Sequence, residues 1–213
     1  ASSDAFSFDL LQVVFALSDA LDLVGVDDVA HGKRVGIMAA HCAQVLGWSA
    51  EQQDLMFDLG MLHDIGVSST QTHLHLLQEF DWEGSQVHCE LGYQLLGEFQ
   101  PLSHLALPIR YHHTRWDRLQ PRVPQTLSAE QALQANLIYL ADRVDTFAAP
   151  YYAHFLFDQI GQIQDRVRSV SGSYFCPELV DAFLKASQSE AFWLTLEPRA
   201  IQLYLQDQLG RGQ

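Results

Sequence analysis

The run Leu59-Gly60-Met61-Leu62-His63-Asp64-Ile65-Gly66 sets the strongest limit on how this chain folds. An apolar helical stretch ends in an imidazole beside a carboxylate, and a glycine follows two residues later. Burying both groups is costly unless something pairs with each of them. A metal ion would pair with both.

The rest of the chain reads as a succession of helices with no strand pattern, so the expected class is all-α. Phe6 to Val24 is apolar and reads as a mostly buried helix, followed by a turn at Gly25-Val26-Asp27-Asp28 whose aspartates suit capping. A second helix is expected from His31 to Leu46, with His31, Val35, Met38, Cys42 and Val45 on its inward stripe and Gly47 as its stop. Ser49-Ala50-Glu51-Gln52 has capping-box form and opens the helix that delivers His63 and Asp64, with Leu55, Leu59 and Leu62 inward. Val67 to Phe80 reads as a polar loop or short helix.

A helix beginning near Gly84 or Ser85 is expected to put His88, Leu91, Leu95 and Phe99 on one face, ending at Pro101. Ser103 to His113 is helical, with Leu105, Ile109 and His112 in register. Trp116 to Pro124 holds two prolines and reads as a loop. Ser128-Ala129-Glu130-Gln131 is a second capping box and opens a long helix through Asn136, Leu140, Asp142 and Asp145 to Phe147. Tyr151, Tyr152, His154, Phe155 and Phe157 form an aromatic cluster in the sequence. A helix over Ile160 to Val170, a turn at Ser171-Gly172-Ser173, a helix from Pro177 through Phe183, and one terminal helix from Ala191 complete the reading.

Collected together, His31, His63, Asp64, His88, His112, His113 and Asp142 all fall at inward positions. Apart from the two adjacent pairs, each comes from a different helix. A helical bundle can converge such residues in its core around two ions. Imidazole with carboxylate suits iron, manganese, zinc or nickel, and the want of a Cys-x-x-Cys pair argues against a structural zinc site. Asp64 is placed to bridge two ions. A hydroxide held between two metals is a nucleophile at neutral pH, and the same ions steady charge on a phosphoryl oxygen.

Charge points the same way. The chain has 26 acidic against 12 basic residues, a formal net charge of −14. Such a surface repels nucleic acid and anionic lipid, so no binding to a DNA or RNA duplex is expected. Positive charge for a phosphate ester would have to come from bound cations. Cys42, Cys89 and Cys176 are odd in number and far apart, which fits small core or surface residues in a reducing cytoplasm. No apolar run is long enough to cross a membrane, and no export signal stands at the start. Ala1-Ser2-Ser3 reads like a cut edge, so a piece of a longer protein is expected.

His31, His63-Asp64-Ile65-Gly66, His88-Cys89-Glu90-Leu91-Gly92-Tyr93, Tyr111-His112-His113-Thr114-Arg115-Trp116 and Leu140-Ala141-Asp142-Arg143-Val144-Asp145 together resemble the HD superfamily of metal-dependent phosphohydrolases. The likeness is greatest to its HD-GYP branch, bacterial signalling domains many of which hydrolyse cyclic di-GMP. Gly172 to Val180 is similar to that branch's late turn and helix, with Cys176 where Asp is usual. The resemblance covers His31 to Leu184. It implies metal ligands at His31, His63, Asp64, His88, His112, His113 and Asp142, with Asp64 bridging and His63 and Asp64 at the centre of catalysis. The implied cofactors are two divalent ions, iron or manganese, with zinc, nickel or magnesium as alternatives. The implied substrate is a cyclic dinucleotide or another nucleotide phosphate ester.

The departures from that pattern lie on the substrate side. Val67 stands where the family has Lys, and it neither donates a hydrogen bond nor carries charge. Trp116-Asp117-Arg118-Leu119-Gln120-Pro121-Arg122-Val123-Pro124 lacks the glycine-tyrosine signature of the family's loop. Asp27 occupies the place of a Glu that holds a third metal in some members. A catalytically silent module that binds metal and a nucleotide or protein partner is the alternative these changes raise. Arg110, Arg115, Arg118 and Arg122 form a basic patch that either faces phosphate in place of a lysine or pairs with residues such as Asp117. His41, His73, His75, His104 and His154 read as structural or surface residues, with His73 and His75 also placed to gate the site. The aromatic cluster packs in the core, joins a homodimer or stacks a purine. Residues 1–26 are read as an N-terminal helix or a linker from an upstream sensor or partner domain, and residues 27–213 as the phosphohydrolase-like domain.

Overall fold

The computed structural model describes residues 10–24, 30–67, 85–122 and 127–211. Among them every regular element is helical, and the only β-type pairing is one bridge between Ser171 and Phe175. The helices are α1 (Leu10–Val24), α2 (His31–Val45), α3 (Ala50–Leu62), α4 (Ser85–Glu98), α5 (Ala106–Tyr111), α6 (Trp116–Arg122), α7 (Ala129–Ala148), α8 (Leu156–Ser169), α9 (Pro177–Ala186), α10 (Glu190–Leu194) and α11 (Pro198–Arg211). Short 3₁₀ turns at Gln100–Leu105 and Ala149–Tyr151 lead into α5 and out of α7.

The two capping boxes form as the sequence requires. Ser49 accepts from the Gln52 N–H while the Gln52 side chain accepts from the Ser49 N–H, and Ser128 and Gln131 do the same for α7. Past the end of α2, Gly47 adopts φ 76°, a left-handed conformation that only glycine takes without cost. The next helix then turns back against the first. A Cβ on Gly60 would sit 2.3 Å from the Gly36 Cα, so α2 and α3 touch backbone to backbone. That contact brings the start of α2, at His31, level with the end of α3, at His63.

Helix α7 is the central post. From Ala135 to Asp145 every residue is buried, polar ones included. α2, α3, α5, α8 and α9 pack around it. At the far side Phe183, Phe192 and Trp193 build a second aromatic layer, and Tyr204 of α11 returns to within 5.1 Å of the Phe57 ring on α3. α1 lies on the α2–α3 pair, with Phe15 edge-on to Phe57 at 6.3 Å.

Five expectations need correction. Leu91, Leu95 and Phe99 are exposed at 36%, 54% and 42%, and the buried face of α4 is Ser85, His88, Cys89, Gly92 and Leu96. Backbone fit decides this: a Cβ on Gly66 would lie 1.9 Å from the His88 carbonyl oxygen and 2.5 Å from the Gly92 nitrogen, so the Gly92 side of α4 must face inward. Trp116–Arg122 is a helix rather than a loop. Its first N–H groups donate to the Tyr174 and Ser173 carbonyls, and Pro121 falls in the last turn, where the helix is about to end. The terminal helix is two, α10 and α11, broken before Pro198. Phe155 and Phe157 are 73% and 50% exposed, so the aromatic residues after Pro150 are not one packed cluster. The helix that follows also starts earlier than expected, at Leu156.

Residues 1–9 of the apolar N-terminal segment, Asp27 with its turn, and His73 and His75 lie outside the described residues.

Candidate metal centre

The seven singled-out side chains meet at one point of the interior. His31 opens α2, His63 caps α3 with Asp64 next to it, His88 lies in the first turn of α4, His112 and His113 follow α5, and Asp142 sits on α7. His31 Nε2 is 3.0 Å from Asp142 Oδ1 and 3.8 Å from Asp64 Oδ2. His63 Nε2 is 3.4 Å from Asp64 Oδ2. The other oxygen of Asp64 is 3.5 Å from His88 Nε2, so this carboxylate spans the cluster from one side to the other. His88 and His112 bring their Nε2 atoms within 3.2 Å, and His113 Nε2 is 3.8 Å from Asp142 Oδ2.

Local hydrogen bonds decide which nitrogen each ring turns inward. His63 Nδ1 donates to the Gly60 carbonyl at 2.6 Å, and His112 Nδ1 to the Ile109 carbonyl at 2.6 Å. A carbonyl only accepts, so those Nδ1 atoms carry the proton and Nε2 is left as the inward donor atom. His63 Nε2 is fully buried with no hydrogen-bond partner. Its lone pair faces two carboxylates, an arrangement that requires a positive charge in between, either a proton or a cation.

The electrostatics divide the cluster. Burial works against a charged His31, but its hydrogen bonds to Asp142 and Asp145 prevail and raise its pKa well above the usual value. Burial likewise opposes a charged His63, and Asp64 and Asp142 overcome it and raise its pKa. His112 is pushed down to about 3 by burial and by His88 and His63, while burial and His112 hold His113 well below the ordinary range. Burial also lowers His88. Although burial opposes their ionisation, Asp64 falls to about 2 beside His63, His88 and His31, and Asp142 is held well below the usual carboxylate range beside Arg143 and His31. Ionised carboxylates and neutral imidazoles are the forms that bind metals, so Asp64, Asp142, His88, His112 and His113 stand ready, while at His31 and His63 a cation would take the place of a proton. The donor set therefore fits divalent cations, with two groups each within 4.8 Å: His31, His63 and Asp64, and His88, Cys89 and His112.

Several residues of the site were not singled out from the sequence. Arg143 Nε and Nη2 both donate to Asp142 Oδ2, at 3.0 and 2.7 Å, leaving Oδ1 toward His31 and His63. Asp145, Arg34 and Tyr152 support His31 from behind. Cys89 places its sulfur 3.5 Å from His112 Nδ1. Buried charges three and one residues from a site residue, in otherwise apolar helices, were the available signal.

Two arginines of the patch, Arg110 and Arg115, are engaged. Arg110 pairs with Glu90 at 2.8 Å and lies over the Tyr93 ring, and Arg115 forks onto Asp117 and lies over Tyr174. Arg118 is exposed, and Arg122 ends α6. His41 packs beside Phe192 and Tyr204, and His104 and His154 are exposed. Val67, at the exit from the His63–Asp64 turn, is half-buried.

The sequence matches the family described as HD domain over residues 29–146. It is 37% identical over 201 residues to "3'3'-cGAMP-specific phosphodiesterase 1" of Vibrio cholerae, covering 92% of this chain and 46% of that protein. It is 27% identical over 189 residues to "Cyclic di-GMP phosphodiesterase" of Thermotoga maritima, covering 84% of this chain and 49% of that protein. The chain thus spans about half the length of these curated relatives. Among solved structures it resembles a cyclic GMP-AMP specific phosphodiesterase of V. cholerae, V-cGAP3, with a TM-score of 0.69 and 19% identity over 92% of this chain and 53% of that one. That likeness speaks to the fold. The family match takes in α2 to all but the end of α7, the helices whose ends and inner faces meet at the cluster, and it covers more than half of the sequence: the chain belongs to the HD domain family.

Proposed function

We propose that this chain carries the hydrolytic site of a metal-dependent phosphodiesterase acting on a cyclic dinucleotide. The observation that carries the reading is His63: its Nδ1 is spent on Gly60, and its buried Nε2 is aimed between the carboxylates of Asp64 and Asp142. Two ions, iron or manganese, would be held by His31, His63, Asp64 and Asp142 on one side and by His88, His112, His113 and Asp64 on the other. When bound, such ions supply a hydrolytic nucleophile at neutral pH and neutralise charge gathering on the phosphoryl oxygens.

The chain's own residues do the rest. Gly60 and Ile109 carbonyls fix ring orientation, so the inward nitrogens need no rearrangement before reaction. Arg143 holds Asp142 through Oδ2 and leaves Oδ1 toward His31 and His63. The centre holds more imidazole than carboxylate, so divalent ions there leave net positive charge for an anionic diester in an otherwise acidic protein. The relatives' names, which specify cyclic GMP-AMP and cyclic di-GMP, support the substrate class.

The test is turnover of 3'3'-cyclic GMP-AMP, cyclic di-GMP and linear dinucleotides with Mn²⁺ or Fe²⁺ added. Hydrolysis that disappears in His63→Ala is expected, and no turnover of any of them removes the reading. Val67 and the paired state of Arg110 and Arg115 favour a second one, a module that binds metal and nucleotide without hydrolysis. It predicts ligand binding by calorimetry with no product.

A further inference from the structure

The ring nitrogens that face away from the centre are held unequally. His63 and His112 use backbone carbonyls. His31 Nδ1 instead meets the Asp145 carboxylate at 2.7 Å. His88 Nδ1 is buried and has no hydrogen-bond partner among the described residues. A carboxylate behind an imidazole draws on its N–H more strongly than a carbonyl does. It makes the opposite nitrogen a better donor and locks the ring plane. An imidazole with nothing behind it has neither advantage.

Asp145 is itself immobilised. Arg34 donates to it through Nε at 2.8 Å and Nη2 at 3.1 Å, and the Tyr152 hydroxyl donates to Oδ1. The Arg34 guanidinium lies 4.6 Å from the Tyr152 ring centre, and Asp145 is fully buried. Three segments of the fold, α2, α7 and the turn after it, are thereby tied together behind one imidazole. Among the described residues none supports His88 in this way. The two donor groups, His31–His63–Asp64 and His88–Cys89–His112, therefore differ in how firmly they are prepared.

We infer that Asp145 is a positioning residue that makes the two metal half-sites unequal. The His31–His63–Asp64 half fills first and holds its ion tightly. The His88–His112 half holds a weaker, exchangeable ion, so the fraction of fully loaded protein follows the free metal concentration. The inference rests on the metal reading of the preceding subsection.

The experiment is equilibrium binding of Mn²⁺ to the chelator-stripped chain, with free Mn²⁺ read by electron paramagnetic resonance. Two affinity classes are expected. Asp145→Asn keeps an oxygen that can accept from His31 Nδ1 but removes the charge, and should weaken the tight class by about 10–100-fold while leaving the weak class in place. Tyr152→Phe removes one donor to Asp145 and should weaken the tight class by less, again alone; it decides the matter if circular dichroism shows that Asp145→Asn does not fold. A single class in the unmodified chain, equal weakening of both classes, or no change in either variant overturns the inference. If no Mn²⁺ binds at all, the metal reading itself fails, and this inference with it.

Discussion

His63 Nε2 lies 3.7 Å from Asp142 Oδ1 and 3.4 Å from Asp64 Oδ2, with His63 and Asp142 both buried. This approach of a ring nitrogen to two carboxylates is stable only with positive charge between them. A cation that binds the folded chain and not the unfolded one stabilises it by mass action. At a free Mn²⁺ concentration 100 times the dissociation constant, the gain is about 2.7 kcal/mol. For a chain of this size that raises Tm by about 5–10 °C. Differential scanning fluorimetry with Mn²⁺ and with EDTA checks it, and His63→Ala should abolish most of the shift.

Arg143 and Asp142 form a buried pair, both about 2% exposed, linked through two nitrogens to one oxygen. Removing the cation leaves a carboxylate uncompensated in the interior. Arg143→Met is expected to cost about 3–5 kcal/mol in urea unfolding of the metal-free chain. Saturating Mn²⁺ should recover part of the loss, because the ion supplies charge to the same carboxylate.

Glycine substitutions separate the site from the scaffold. At Gly66 an added Cβ would stand 1.9 Å from the His88 carbonyl oxygen and force α4 away from Asp64. Gly66→Ala should therefore lower both thermal stability and Mn²⁺ affinity. Gly161, mid-way along α8, has nothing within 4 Å of the added atom. Gly161→Ala should stabilise by about 0.5–1 kcal/mol and leave metal binding unchanged.

Asp58 gives a pH dependence away from the centre. Burial first, and then Asp54 one turn earlier, raise its pKa from 3.8 to about 7. The folded state thus holds this proton more tightly than the unfolded state. Its contribution to stability is complete below about pH 4 and is lost as pH rises toward 7. Asp58→Asn should raise Tm at pH 8 relative to the unsubstituted chain and change it little at pH 4, as thermal melts at the two pH values would show.

Much of this architecture was legible in the residues. Ser49–Gln52 and Ser128–Gln131 announce helix starts through short-range chemistry, and Gly47 announces a stop. The convergence of His31, His63, His88, His112 and Asp142 was legible because each is a polar residue at an inward helical position. The inward face of α4 was not, since apolar character pointed to Leu91 and Leu95 while a backbone contact at Gly66 chose Gly92 instead. The helix at Trp116 was hidden by Pro121, because the carbonyls that satisfy its first N–H groups come from Ser173 and Tyr174, more than fifty residues away in sequence. Asp145 stands in the Asp142-Arg143-Val144-Asp145 run of the sequence, but its partners Arg34 and Tyr152 become visible only when α2 and α7 are side by side.

An anomalous difference map at the manganese edge, from crystals grown with Mn²⁺, locates bound ions without reference to activity. Strong peaks are expected among the inward atoms of His31, His63, Asp64 and Asp142 and among those of His88, His112 and His113. A map with no peak inside this cluster, or with manganese only at surface carboxylates, would contradict a metal centre here.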